Sequence, residues 1–488
     1  MKTRMNWMMA TGIALSMCIA LACYAAYLHQ NETDSANFLA KYPQTAGTKL
    51  DSCNVCHRGS SKPHDPVALG SCQWCHYTTG YGKTPGNFVN TLNSYGQAYL
   101  NSGRNVAALT AIENNDSDGD GYSNKVEIAA LRYPGDPNDD PTKVAAASKV
   151  FTREQLEKMP QHTQFLLMNA SKSTDSYVEY TGVPMEDLLK RIVLPSAIDV
   201  SVLSPDGFSQ THPFNYDSTI NVYYVNGTYP SAKFYYDVQA DVAQNPSTGW
   251  CDYSAPSAAG RTNGDLIVNS AGLKMLLALR RDGQYLAPGV LNTSNKLDGE
   301  GPFRIVPPQK IAEGPDQRST ATNAQDPNTW VWPYQPNGDH NAGFSTRSAT
   351  IMKVGPLPEG TTDINLLEAG WDYIDQNEIV VYGAINPLNN IREKLVQLEV
   401  AIDAIPKKSF KNPLQKLFLK EEIELIEWFV KVRGYDWAYR TLQDNVLARM
   451  NGCTAGHSDA NDWFKDCDTE TKLYWAVNEI GVLLKILT

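Results

Sequence analysis

A chain of 488 residues is longer than one hydrophobic core normally supports, so its length predicts about three domains. With 42% hydrophobic and 19% charged residues, it has the composition of a globular protein and not of a disordered or fibrous one. The net charge is −11, and the sequence has no cluster of lysine and arginine that could follow a phosphate backbone. Nucleic acid is therefore not expected as a partner.

The N-terminus has the features of an export signal. Lys2 and Arg4 precede a long apolar run within residues 1–28. Cleavage before Cys23, lipid modification of that cysteine and retention of the run as a membrane anchor are all compatible with the sequence. We therefore expect the protein to be exported, to the periplasm or the cell surface, with membrane attachment through this segment as one alternative.

Two complete Cys-x-x-Cys-His motifs follow, with 14 residues between them. In this motif two thioethers anchor the edge of a haem and the histidine ligates its iron. A zinc site or a thioredoxin-type redox pair would use the cysteines but would leave the histidines unexplained. We therefore predict two covalently bound c-type haems that exchange electrons directly, attached by Cys53, Cys56 and His57 in the first motif and by Cys72, Cys75 and His76 in the second.

The sixth ligands of the two irons are less clearly marked. His64 lies between the motifs, so we predict that it completes the coordination of one iron. A solvent-exposed loop histidine is the alternative interpretation. Met159 and His162 are candidates for the other iron.

Residues 116–127 reproduce the twelve-residue loop of an EF-hand. Oxygen ligands occupy the required positions, a backbone carbonyl would serve at the seventh, and Gly121 provides the sharp turn at the sixth. The following helix is expected to end quickly, at 132–137, which favours a structural calcium over a calcium sensor. The predicted ligands are Asp116, Asp118, Asp120, Tyr122 through its carbonyl, Asn124 and Glu127.

The middle and C-terminal parts of the chain differ in their hydrophobic patterns. In the middle part, residues 146–388 alternate β-rich runs with turns, and strands are predicted at 220–225, 234–238 and 378–382. From residue 389 onward apolar residues recur every three or four positions, which predicts a bundle of four or five helices. Cys453 and Cys467 are the two cysteines left close together in an exported chain, so we predict a disulfide between them. The helical repeats are Ile391, Leu395, Leu398 and Ile402; Leu419, Ile423, Ile426 and Val430; and the segment Leu473–Leu487.

Several short segments of the middle region resemble, in the same order, the landmarks of the sulfite-oxidase-type molybdopterin-binding domain. The resemblance implies the fold of that domain. In the catalytic members a cysteine ligates molybdenum from a strand that precedes the Gly-Val-Pro segment, where this chain has 165–169 and no cysteine. Cys251 follows that segment and is expected to be a buried, small apolar residue, so a molybdenum cofactor would lack its thiolate ligand. The matching segments are Tyr180–Leu189, Ser204–Phe208, Leu276–Leu279 with Asp282–Gly283, and Gly301–Pro308.

Two further segments, Gly299–Pro302 and Asp339–Gly343, resemble motifs of the GEGP-motif dihaem c-type cytochromes of metal-respiring bacteria. The second contains His340 and, with Arg347 nearby, is the best polar cluster for a substrate site. A loop held by its own hydrogen bonds explains the cluster equally well. No catalytic residue is assigned.

Together these features predict a multidomain α+β protein with a dihaem and calcium domain at 45–145, a sulfite-oxidase-like α+β domain at 146–388 and a helical bundle with a disulfide at 389–488. The predicted function is electron transfer outside the cytoplasmic membrane, with other cytochromes or external electron acceptors as partners. One alternative is an oxidoreductase whose middle domain binds a substrate and passes electrons to the haems. The other is a cell-surface binding or assembly protein.

Overall fold

The chain folds as a mixed α and β protein with several sheets and a C-terminal helical region, as the sequence predicted at this level. Among the described residues no helix is both long and apolar enough to cross a membrane. The computed structural model describes residues 33–57, 92–170, 175–204, 208–216, 223–229, 232–236, 251–269, 271–291, 297–311, 313–316, 338–365, 377–455 and 459–488.

In the described part of the N-terminal region, four short helices surround a small core. Its centre is aromatic, with Tyr95 fully buried and Tyr99 nearly so. Two of the helices begin at an asparagine whose side chain accepts a backbone N–H of the first turn, which satisfies a donor that the helix leaves unpaired. The helices are α1 (Thr33–Lys41), α2 (Ser94–Asn101), α3 (Val106–Ile112) and α4 (Asn124–Ala129).

Two larger sheets make up the middle region. The strands of the first are β3 (His162–Met168), β4 (Asp175–Pro184), β8 (Cys251–Asp252), β10 (Leu276–Arg281), β11 (Gln284–Tyr285) and β14 (Arg304–Val306). Their order is β11-β10-β4-β3, with β14 also paired to β10 and β8 also paired to β4. The strands of the second are β2 (Ser148–Thr152), β5 (Asp199–Leu203), β6 (Ser209–Pro213), β15 (Ile351–Gly355) and β17 (Glu378–Gly383). Their order is β2-β17-β15-β5-β6.

Both faces of the first sheet are covered, which explains the unbroken apolar run in β10. Because side chains alternate along a strand, Leu277 and Leu279 pack with residues of the second sheet, and Leu276 and Ala278 pack in a separate core on the opposite face. Short strands and two single-turn helices complete the region: β1 (Val144–Ala145), β7 (Ala232–Lys233), β9 (Leu266–Ile267), β12 (Val290–Leu291), β13 (Leu297–Asp298), β16 (Thr361–Thr362), α5 (Arg153–Glu157) and α6 (Met185–Leu189).

One of the three predicted strands of the middle region is confirmed. Strand β17 matches the run predicted at 378–382. Residues 223–225 and 234–236 are loop segments instead, and the remainder of those two runs lies outside the described residues. The Phe234 backbone does pair with residues 264 and 265, but the ladder is limited to the two-residue strands β7 and β9.

The C-terminal region is helical, and the apolar repeats identify its buried faces. The helices are α7 (Leu388–Ala404), α8 (Gln415–Lys431), α9 (Tyr435–Thr441) and α10 (Cys467–Lys485). All four residues of each repeat on α7 and α8 are buried.

The disulfide between Cys453 and Cys467 is confirmed, and it closes the loop before the last helix. In the chain-entropy model, closing a loop of this length stabilises the fold by about 3 kcal/mol.

The buried Lys49 side chain joins the N-terminal region to the middle region. Its Nζ lies 2.7 Å from Asp139 Oδ2, in the same region, and 2.7 Å from the Thr362 hydroxyl of the middle region, with only 3% of the lysine exposed. Burial lowers the pKa of Lys49, against the opposing effect of the Asp139 carboxylate. The hydrogen bond to Thr362 therefore ties the two regions together at a buried, charged side chain.

Candidate functional site

The acidic loop between α3 and α4 is shaped by its first aspartate. Asp116 accepts hydrogen bonds from the backbone N–H groups of Gly119 (2.7 Å) and Gly121 (2.9 Å), and the bond from Gly121 contributes most to lowering the pKa of Asp116. Gly119 and Gly121 have φ of 85° and 100°, a backbone conformation that glycine adopts without strain. Carboxylate oxygens of Asp116, Asp118 and Asp120 consequently lie within 4.8 Å of one another.

Glu127 provides a fully buried carboxyl group beside this cluster, near enough for the charges of the three aspartates to raise its pKa. Neither of its oxygens has a hydrogen-bond partner among the described residues, and the same holds for Asp118 Oδ2 and Asp120 Oδ2. Burial and then the charge of Asp118 raise the pKa of Glu127 to about 9; burial and then Asp120 raise the pKa of Asp118 to about 6. Buried oxygens that lack donors are costly unless a cation binds them. The four side chains therefore fit a hard divalent cation such as calcium.

The two other predicted ligands lie in the same loop. The buried Asn124 side chain accepts a hydrogen bond from the Ser117 N–H (3.2 Å) and donates one to the Ile112 carbonyl (2.7 Å), so it closes the loop onto the end of α3. An amide oxygen has two lone pairs, so this role leaves one for a cation. The Tyr122 N–H donates to Asp120 Oδ1 (2.8 Å). The helix α4 is short, as predicted, and ends at Ala129, three residues before the predicted stop at 132–137.

The first Cys-x-x-Cys-His motif forms a single turn that packs on the N-terminal core. Residues Cys53–Val55 make one turn of 3₁₀-helix, Val55 is 3% exposed, and Cys56 and His57 are half-buried. The His57 backbone then forms an isolated bridge with Leu92. The predicted haem residues Cys72, Cys75 and His76 and the predicted sixth ligand His64 lie outside the described residues, as does the apolar N-terminal run.

Asn93 holds this turn, and the sequence analysis did not single it out. Its backbone N–H donates to the Cys56 carbonyl (2.9 Å), its Nδ2 donates to the Val55 carbonyl (3.0 Å), and its Oδ1 accepts the Gly96 N–H (2.8 Å) at the start of α2. Gly135 packs against the same amide, where an added Cβ would lie 2.5 Å from the Asn93 Cγ. An asparagine before a helix is a recognisable N-cap signal in a sequence. The second role of Asn93, as a donor to the Val55 carbonyl, depends on a contact between residues 38 positions apart.

The candidates for the second iron lie in the middle region. His162 begins β3, and burial lowers its pKa below the ordinary histidine value. Met159 lies shortly before it and packs against the core shared by the two sheets.

The GEGP segment forms an ion-pair network around the buried Arg304. Glu300 lies 2.6 Å from Arg281 and 2.8 Å from Arg304, and its carboxylate also accepts the Tyr180 hydroxyl (3.1 Å). Burial alone would raise the pKa of Glu300, but the charges of Arg304 and Arg281 hold it below the ordinary value. Arg304 is 8% exposed and donates a further hydrogen bond to the Ser345 hydroxyl (2.7 Å). This network ties β4, β10 and β14 to the loop after residue 338.

The polar segment at 339–343 is held by hydrogen bonds to other parts of the chain. Asp339 is buried and accepts from the Tyr223 hydroxyl and from two backbone N–H groups, including that of Ile311 (3.1 Å). Asn341 is fully buried and donates to the carbonyls of Leu167 (3.0 Å) and Pro307 (3.2 Å). The segment is therefore fixed by hydrogen bonds, and the substrate site stays a prediction.

No thiol of the described chain lies where the molybdenum ligand of the sulfite-oxidase family would be. Residues 165–168 form the buried end of β3, and Asn169 follows. Cys251 is 2% exposed on β8, paired with Asp175 at the start of β4, and packs in an apolar core as expected. The comparisons with known proteins add nothing here, since no family model, curated protein or solved structure matches the chain.

Proposed function

We propose that this protein is an exported dihaem c-type cytochrome, stabilised by calcium, that transfers electrons outside the cytoplasmic membrane. The observation that carries the proposal is the pair of complete Cys-x-x-Cys-His motifs in an exported chain, at 53–57 and 72–76. The domains at 45–145, 146–388 and 389–488, with a sulfite-oxidase-like fold in the middle one, belong to the same proposal. Redox partner proteins such as other cytochromes, or external acceptors, would receive the electrons.

The geometry of the first motif supports this function. Haem, when bound, would supply one-electron redox chemistry. Cys53 and Cys56 would attach it and His57 would ligate the iron from the end of the turn. Asn93 fixes the backbone between these residues by hydrogen bonds to the Val55 and Cys56 carbonyls. The turn is thereby held rigidly on α2, which is the kind of support that a ligand set needs.

Covalent haem attachment tests the proposal directly. We expect the mature protein to keep two haems per chain after denaturation, because thioether bonds survive unfolding. The double variant Cys53→Ser, Cys56→Ser should lose one of the two haems, as measured by haem absorbance per chain and by mass spectrometry of haem peptides. The variant Cys251→Ser is the matched control and should keep both. Release of all haem on denaturation of the wild type would contradict the proposal.

The two alternative functions predict different metal contents and activities. An oxidoreductase that holds a molybdenum cofactor in its middle domain should contain about one molybdenum atom per chain. A cell-surface binding or assembly protein should fail to pass electrons to any cytochrome or metal acceptor. One preparation, matured in a host that attaches haem, gives the haem, calcium and molybdenum contents together.

The Asn93 side chain offers a finer test of the haem turn. In Asn93→Asp an oxygen still accepts the Gly96 N–H, so α2 remains capped, but the donor to the Val55 carbonyl is lost and a carboxylate faces that oxygen. We expect haem occupancy at the first motif to fall at least about twofold, or the reduction potential of that haem to shift, with the second motif unchanged.

Haem-peptide mass spectrometry and a redox titration measure these two effects of the Asn93 change. Asn105→Asp is the control, because Asn105 caps α3 in the same way through the Ala108 N–H (2.9 Å), whereas its amide donates to the Gly103 carbonyl (3.2 Å) and not to the Val55 carbonyl. Full occupancy and an unchanged potential in Asn93→Asp would show that the asparagine only caps a helix.

A further inference from the structure

Helix α8 has two apolar faces, and only one of them is covered. Its inner face packs into the core of the helical region. On the opposite side, Leu414, Phe418, Leu425, Trp428 and Val432 are between 41% and 56% exposed. An amphipathic helix on the surface of a protein normally has charged or polar residues on that side. We call these five residues, together with Glu421, which lies between Phe418 and Leu425, the α8 stripe.

The spacing of the α8 stripe is that of a coiled-coil seam. Successive members, from Leu414 to Val432, are separated by 4, 3, 4, 3 and 4 residues. Only the third member, Glu421, is charged. A repeat of 3.5 residues keeps side chains on a single line that faces a second helix, whereas a loop or a strand does not match it. The occupant that fits this face is therefore a helix.

The exposed apolar area lies at the upper limit for a monomer and is smaller than one side of a typical interface, whose remainder is polar. Leu417 and Trp437 extend the patch at 52% and 62% exposure, and Trp437 stacks on Phe429 with 6.5 Å between ring centroids. Taking about 150–250 Å² for a whole aromatic side chain and less for an aliphatic one, the seven side chains present on the order of 600 Å². A typical specific interface buries about 800 Å² per partner, while the largest apolar patch of a monomer is about 300–600 Å².

We propose that the α8 stripe is the interface of a homodimer, in which α8 of one copy packs antiparallel against α8 of a second copy. A twofold axis needs one surface that is complementary to itself. Antiparallel pairing places Leu414 opposite Val432 of the second copy and Phe418 opposite Trp428, and each pair is repeated across the axis. Glu421 then lies against Leu425 of the second copy and extends its carboxylate to water. Parallel pairing would instead bring the two Glu421 side chains together in the seam.

The charges beside the stripe are mixed. Glu422 is turned away, since its carboxylate accepts the Asn445 amide (3.0 Å). In the antiparallel pairing Glu424 lies two positions from both Glu424 and Lys420 of the second copy. Repulsion and attraction therefore offset each other, and ionic strength should change the affinity of the dimer little.

Sedimentation of the mature, full-length protein tests the proposal. We expect a monomer–dimer equilibrium in which Leu425→Glu and Trp428→Glu each weaken association at least tenfold without changing the melting temperature, because both side chains are about half exposed. Val268→Glu, at a position that is 73% exposed in the middle region, is the control and should dimerise normally. Haem content is measured on the same samples and should not change.

A protein that stays monomeric at every concentration, with or without added salt, would overturn this interface. So would a dimer that persists unchanged in both stripe variants, since a different surface would then hold it. Because the stripe is far in sequence from the haem motifs, either result leaves the proposed electron transfer standing. Loss of haem from the wild type would conversely leave the dimer test intact.

Discussion

The variant Glu127→Gln is expected to lose most of the stabilisation that calcium gives the wild type. In the wild type, added calcium should raise the melting temperature, because a bound ion would neutralise the three clustered aspartates and the fully buried Glu127 beside them. Glutamine has nearly the same shape but removes one charge and one ligand oxygen. Calcium affinity should fall at least about tenfold, equivalent to about 1.4 kcal/mol.

Without calcium, Glu127→Gln should no longer lower the stability of the protein. The Glu127 carboxyl is then buried beside three aspartates with no hydrogen-bond partner, so a neutral amide at the same place should not destabilise the protein. Calorimetric melting with and without calcium, together with calcium titration, measures both effects. Glu113→Gln is the control, since this nearby glutamate pairs with Lys41 (2.8 Å) outside the cluster. An identical calcium response in wild type and Glu127→Gln would show that the loop is only an acidic turn.

Removal of the Glu300 charge, in Glu300→Gln, is expected to lower the free energy of unfolding by about 3–5 kcal/mol. The reason is the buried guanidinium of Arg304, which would lose its counter-charge while remaining largely shielded from water. Arg281 is more exposed and has other acidic neighbours, Asp282 at 3.5 Å and Asp252 at 3.8 Å, so it contributes less to the loss. Equilibrium denaturation in urea measures the change.

A second arginine–glutamate pair provides the matched control. Arg280 and Glu157 also lie 2.8 Å apart, but each is 29% exposed, so water and salt screen their attraction. Glu157→Gln should therefore cost no more than about 1 kcal/mol. If Glu300→Gln and Glu157→Gln lower the free energy of unfolding equally, the burial of Arg304 does not make its ion pair with Glu300 more stabilising than an exposed pair.

The sequence by itself determined the features that depend on residues close together in the chain. The ligand positions of the acidic loop are fixed by a twelve-residue pattern, so Asp116 and Glu127 could be assigned before any coordinates. Helices α7 and α8 were predicted with their buried residues, because a period near 3.6 is a local property of the chain. The Cys453–Cys467 disulfide followed from the short separation of two cysteines in an exported chain.

The tertiary structure alone decided the features that depend on distant contacts. Residues 223–225 and 234–236 have strand-like composition but lie in loops, because a strand also needs a long enough partner ladder. The second role of Asn93 and the pairing of Glu300 with Arg304 depend on which segments pack together. The outer face of α8 shows the limit most clearly. Its apolar residues are equally visible in the sequence, but only the packing of the other helices shows which of its two apolar faces is left exposed.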